Sequence, residues 1–149
     1  MKTYDFDRIK VRPFLTLMDA QNKYIFQDGT HVINVSLESK AEVKNYVEMH
    51  GGTYDWFPLN ETPRMEVENL VLAVKSLFKY ASTGLPIIVH CLCGNNRSRT
   101  VVEAYYFAKY GEQLEDEYKG FANHLLYNVA NGYLPSMEEI LHRLDEMRL

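Results

Sequence analysis

A chain of 149 residues with 46% hydrophobic side chains has room for one sizeable core, so residues 1–149 are expected to form a single domain. Its formal net charge of −4 argues against a nucleic-acid partner, which calls for basic surface. No apolar run is long enough to span a bilayer, and Asp5 and Asp7 stand where a leader would need its apolar stretch, so a cytoplasmic protein without a membrane partner is expected.

In chain order, the first predicted strand is 31–36 (HVINVS), rich in β-branched residues and preceded by the turn-like Asp28-Gly29. Residues 40–49 read as a helix ended by Gly51-Gly52. Tyr54-Asp55-Trp56-Phe57 reads as a second strand closed by Pro58. Alternation sends Tyr54 and Trp56 to one face and Phe57 to the other, and core packing is the expected role for most of these rings. Val67, Leu70, Val71, Val74, Leu77, Phe78 and Ala81 then recur at helical spacing, and Ser82-Thr83-Gly84 stops that helix. Ile87-Ile88-Val89 is a short apolar run suited to a central strand buried on both faces. Beyond Arg97 the stretch VVEAYYFAKY predicts a helix ending at Gly111, with one or two of Tyr105, Tyr106 and Phe107 in the core. A further helix is expected over about 113–130, stopped by Asn131-Gly132. Asn123 and His124 on it fit either an approach to the loop after Ile87-Ile88-Val89 or a surface position. Ser136 and Glu139 form a capping-box signature for a last helix that turns Ile140, Leu141 and Leu144 inward. Strands alternating with helices predict an α/β fold with a small, mostly parallel central sheet flanked by helices.

The segment His90-Cys91-Leu92-Cys93-Gly94-Asn95-Asn96-Arg97-Ser98 joins a buried strand to a helix. In open α/β sheets ligands bind at the carboxyl ends of strands. A loop there can turn successive backbone N–H groups toward one point, and the following helix adds its own amides and the positive end of its dipole. A thiol placed as Cys91 is feels that field, so its thiolate becomes available near neutral pH. Arg97, six residues later, carries a planar fork that can grip two oxygens of one phosphate. Gly94 at the apex allows a backbone angle that a side chain would forbid. Ser98 can cap the helix and can donate to the sulfur of Cys91. His90 is expected to fix the loop through hydrogen bonds. The two cysteines are two residues apart and cannot staple distant parts of a fold, so reduced thiols are expected.

His90-Cys91, five residues, then Arg97-Ser98 resembles the signature loop of the protein tyrosine phosphatase superfamily, and the short chain is most similar to its dual-specificity branch. Residues 31–36 resemble that branch's strand ending in Asn-Val-Ser, and residues 54–61 its Tyr-x-x-Ile-Pro-x-x-Asp segment. The resemblance covers about 30–110 and, more faintly, the helical tail. It implies a phosphomonoester hydrolase in which Cys91 attacks phosphorus and forms a cysteinyl phosphate. It implies no cofactor and no metal, because main-chain donors and Arg97 meet the developing charge. His90, Cys91 and Cys93 would suit zinc, yet the spacing offers no fourth ligand and Arg97 would oppose a cation. The implied partner is a phosphorylated substrate, with phosphotyrosine protein first and phosphoserine/threonine, a phosphoinositide or a 5′-triphosphate RNA end as alternatives. The stretch Gly94–Arg97 also resembles the loop of cysteine-type RNA triphosphatases, a choice the acidic charge counts against. A monomer is expected.

Two positions depart from the family pattern. Glu61 stands where the resemblance implies an aspartate general acid; Asp55 is the alternative acid, and a solvated loop carboxylate is the other reading of Glu61. Arg99 replaces a frequent glycine or proline and is expected to be a solvated helix residue, with contact to a second anionic group as its alternative. Asn95 and Asn96 leave the loop without the lysines of many phosphoinositide-directed relatives. Cys93 is expected to be a small buried filler; a partner for oxidised Cys91 is its alternative. Because the acid position deviates, a pseudophosphatase that binds phosphorylated partners with little turnover is the competing class.

Overall fold

The Ile87-Ile88-Val89 run becomes the second strand from one edge of a four-stranded sheet in the computed structural model, which describes residues 6–114 and 123–146. The strands are β1 (Ile9–Arg12), β2 (His31–Asn34), β3 (Thr53–Trp56) and β4 (Ile87–His90), ordered β1-β4-β2-β3 with every pair parallel. Among the described residues the helices are α1 (Leu17–Ala20), α2 (Ala41–Met49), α3 (Val67–Ala81), α4 (Arg97–Tyr110), α5 (His124–Ala130) and α6 (Met137–Asp145). None of them is long and apolar enough to cross a membrane.

Strand alternation divides the core into two layers. Val32 and Ile88 face α1 and α2, with Leu15, Phe26, Val43 and Val47. Ile33, Ile87 and Val89 face the larger layer built from Leu70, Val74, Leu77, Val101, Tyr105, Leu125, Ile140 and Leu144. Of the α3 stripe read from the sequence, Leu70, Val74 and Leu77 are fully buried and Val67, Val71, Phe78 and Ala81 pack beside them partly buried, while Ala73, which the stripe left out, is fully buried as well. Gly52 is required by close approach, since a Cβ there would lie 2.0 Å from the Thr30 carbonyl oxygen.

Several expectations need correction. β1 and α1 were not legible, and the sheet is wholly parallel. Trp56 shares its face with Tyr54 but ends the edge strand β3, so it is 45% exposed and donates from Nε1 to the Ser36 carbonyl at 2.8 Å. Of the helix expected over 113–130, residues 113–114 are not helical, His124–Ala130 form α5 with Asn123 as N-cap, and residues 115–122 lie outside the described residues. Ser136 does cap α6 by accepting from the Glu139 N–H, but the Glu139 carboxylate turns to Arg143 instead of closing a capping box.

β1 is stitched down twice. It pairs with β4, and just before it Asp7 accepts from the Tyr105 hydroxyl (2.6 Å), the Lys109 ammonium (3.0 Å) and the Tyr110 hydroxyl (2.8 Å) of α4. Burial opposes the charge on Asp7, but these donors outweigh it and hold its pKa below the ordinary carboxylate value.

Because all strands run one way, the segments that follow them meet at one end of the sheet. Backbone hydrogen bonds link them: Phe14 N–H to Leu92 (3.0 Å), Val35 N–H to His90 (2.9 Å), and Leu59 N–H to Val35 (3.1 Å).

Candidate active site

Cys91 is the first residue past β4 and is 1% exposed. Its Sγ accepts from the Gly94 N–H at 3.2 Å and lies 3.3 Å from the Ser98 hydroxyl. Burial raises the thiol pKa, but the Ser98 hydroxyl and amide, the Gly94 amide and the Arg97 charge outweigh it, and the net shift is downward. Gly94 has φ +72°, the left-handed region that the turn of the loop needs.

The helix that follows begins without a side-chain cap. Asn96 is its N-cap, but Asn96 Oδ1 instead accepts from Thr100 Oγ1 (3.3 Å) and from Asn128 Nδ2 of α5 (2.9 Å). Asn128 Nδ2 also reaches Thr100 Oγ1 at 2.9 Å, so α5 pins the junction of loop and helix. Ser98 therefore does not cap α4; it sits inside the first turn with both hydroxyl and amide turned to the sulfur.

Arg97 is buried, and its Nη1 donates to the Leu59 carbonyl at 3.1 Å. Its Nε lies 3.6 Å from Glu61 Oε1, and the Glu61 side chain is half exposed. The guanidinium is thus aimed by one loop while a carboxylate stands over it at the solvent edge. Asp55 is placed differently. It lies within β3 and accepts from the Tyr80 hydroxyl of α3 at 2.7 Å.

His90 is fully buried. Its Nδ1–H donates to the Cys91 carbonyl at 3.3 Å, the Phe14 ring packs on its edge at 5.0 Å, and its Nε2 is buried with no partner among the described residues. Burial pushes its pKa down to about 4, with the nearby Arg12 charge adding to the shift.

Of the remaining loop side chains, Asn96 turns to Thr100 and α5, while the others are at least partly open to solvent. Leu92 and Cys93 are exposed, and Asn95 and Asn96 are half-buried. Cys93 is therefore not a core filler: a loop that gathers its amides inward must turn its side chains out. Arg99 is not a simply solvated residue either, because it is half-buried and its Nε donates to the Gly94 carbonyl at 3.2 Å. Neither Asn123 nor His124 is the α5 side chain bonded to the loop. Asn123 caps α5 and donates to Leu114, and His124 sits by Glu103. Asn128 is the residue the sequence reading missed, and nothing in its local sequence distinguishes it. Asn34 is better marked: it is the Asn of Asn-Val-Ser, and it accepts from Ser36 while donating to Tyr54 and Glu38, which shapes the neighbouring loop.

The arrangement has the means to hold a tetrahedral anion against a sulfur: inward amides, a buried fork and a hydroxyl. The family model for the dual specificity phosphatase catalytic domain matches residues 17–139. No curated protein sequence matches the chain. Among solved structures it is similar to DUSP15 (19% identity, 95% of this chain and 83% of that one, TM-score 0.59). It is also similar to PTPMT1 in complex with PI(5)P (17% identity, 98% and 92%, TM-score 0.60). A third is the human tyrosine phosphatase-like serine/threonine/tyrosine-interacting protein (14% identity, 94% and 90%, TM-score 0.54). At such identities these structures show a shared fold, and the family match, which spans most of the sequence, shows that the chain belongs to the dual specificity phosphatase catalytic-domain family.

Proposed function

We propose that the protein hydrolyses phosphomonoesters through a cysteinyl-phosphate intermediate. The observation that carries this reading is the setting of Cys91 Sγ, buried, with the Gly94 N–H and Ser98 hydroxyl on it and Arg97 behind. The substrate phosphate enters the loop and takes hydrogen bonds from the amides and the Arg97 fork. That dianion competes with Glu61 for the guanidinium; the half-exposed carboxylate, once released, takes up a proton from solvent and turns toward the leaving oxygen. The Cys91 thiolate attacks phosphorus, the bond from phosphorus to the ester oxygen breaks, and Glu61 delivers its proton to that oxygen. A water molecule then gives its proton to the Glu61 carboxylate as it attacks phosphorus. The P–S bond breaks, the thiolate returns, and the Ser98 hydroxyl donates to it.

Glu61 is favoured over Asp55 because it stands at Arg97, whereas Asp55 is committed to Tyr80. Phosphotyrosine protein is the first substrate class, since a loop with Asn95 and Asn96 in place of lysines offers little to a multiply charged headgroup. We place the enzyme in the cytoplasm as a monomer, where its two thiols stay reduced. Hydrolysis of para-nitrophenyl phosphate by wild type and Cys91→Ser tests the reading. The variant is expected to retain below about a thousandth of the turnover. Equal turnover in both would show that Cys91 is not the nucleophile, and no turnover in wild type would leave a phosphate-binding module as the alternative.

A further inference from the structure

The apex of the loop is gripped from outside by two elements that touch no reacting atom. On one side is Arg99, whose Nε donates to the Gly94 carbonyl at 3.2 Å. On the other is the backbone that leaves β1: a Cβ on Gly94 would lie 2.6 Å from the Arg12 carbonyl carbon and 2.7 Å from the Pro13 nitrogen. Gly94 cannot move back against that wall. Its own N–H is already spent on Cys91 Sγ.

What remains is the orientation of the next peptide unit. A trans peptide is planar, so its C=O and N–H point in opposite directions. A Gly94 carbonyl drawn to Arg99 therefore turns the Asn95 N–H the other way, into the loop. A half-turn of the same unit would put a carbonyl oxygen where the substrate's oxyanion must sit.

We propose that Arg99 is a positioning residue that fixes the Gly94–Asn95 peptide so that the Asn95 N–H donates to a bound phosphoryl oxygen. This rests on the phosphatase reading of the loop. An Nε–H held in the rigid plane of the fork suits one fixed carbonyl better than a lysine's mobile ammonium does.

The test is titration of the full chain with tungstate, followed by amide NMR, on wild type, Arg99→Met and Arg99→Lys. In wild type the Asn95 amide resonance is expected to move downfield on saturation, together with that of Ser98. In Arg99→Met the Asn95 movement is lost while the Ser98 movement stays. Tungstate affinity and kcat on an aryl phosphate each fall about tenfold there, less than deletion of a whole oxyanion donor. Arg99→Lys, which keeps the charge, gives an intermediate Asn95 movement, and this variant serves if Arg99→Met fails to fold. Full wild-type movement of Asn95 in the variants overturns the proposal. So does an effect confined to KM for substrates bearing a second anionic group, which would make Arg99 a substrate contact. If no loop amide of wild type responds to tungstate, the phosphatase reading fails and not merely the role of Arg99.

Discussion

At the scale of single residues, the proposed reaction gives one carboxylate two jobs in one place. Glu61 neutralises Arg97 at 3.6 Å while its side chain remains half exposed. A glutamate reaches one methylene farther than an aspartate, and in the proposed reaction that length would take it from the guanidinium to a leaving group without moving its backbone. Removing its proton should cost most where the leaving oxygen is most basic. Glu61→Gln is expected to lower kcat on phenyl phosphate about a hundredfold and to change para-nitrophenyl phosphate turnover far less. Comparing the two substrates in one variant checks this, and a similar contrast in Asp55→Asn would move the role to Asp55. The spacing of Cys91, Arg97 and Ser98 in the sequence puts all three on one loop, and the structure brings the Ser98 hydroxyl and the Arg97 charge to the Cys91 sulfur. Cys93 and Arg99 were misread because their surroundings depend on which way a short loop turns its side chains, which spacing does not encode.

At the scale of elements, the loop is held by its neighbours more than by itself. Asn128 is the clearest case. Its Nδ2 binds Asn96 Oδ1 and Thr100 Oγ1 across 32 and 28 residues of chain, both at 2.9 Å. Losing two such buried bonds leaves acceptors behind and should cost about 2 kcal/mol. Asn128→Ala is therefore expected to lower the unfolding midpoint in urea and to weaken oxyanion binding as well, because the N-terminus of α4 loosens. A control at the far end of the tail separates the two effects. Ser136→Ala removes only the α6 cap, costs about 1 kcal/mol, and leaves aryl phosphate turnover at the wild-type value. Long amphipathic elements such as α3 were readable from periodicity alone. β1 was not, since four residues that alternate as Ile9-Lys10-Val11-Arg12 carry too short a pattern to stand out, and their place is decided by β4.

At the scale of the whole molecule, the buried His90 links folding to pH. In the folded state its pKa lies at about 4, against an ordinary 6.5. Between those values the unfolded chain binds a proton that the folded chain refuses, so stability rises with pH across the window and is lost as pH falls from 6.5 toward 4. The full difference is about 3 kcal/mol. Thermal unfolding of wild type from pH 7 down to 4.5 is expected to show this loss, and His90→Asn, which retains a donor for the Cys91 carbonyl, to show a shallower one. Equal slopes would assign the acid sensitivity to other groups.

β1 carries a practical message for anyone who trims this protein. The family match starts at residue 17, beyond the end of β1 at Arg12. A fragment begun there would strip β4 of one of its two partners and open a row of unpaired amides and carbonyls to any passing strand. It would also take away the backbone that backs Gly94. Residues 17–149 expressed alone should elute from a sizing column as large assemblies and release no nitrophenol, whereas a well-behaved, active fragment would show that the strand is dispensable.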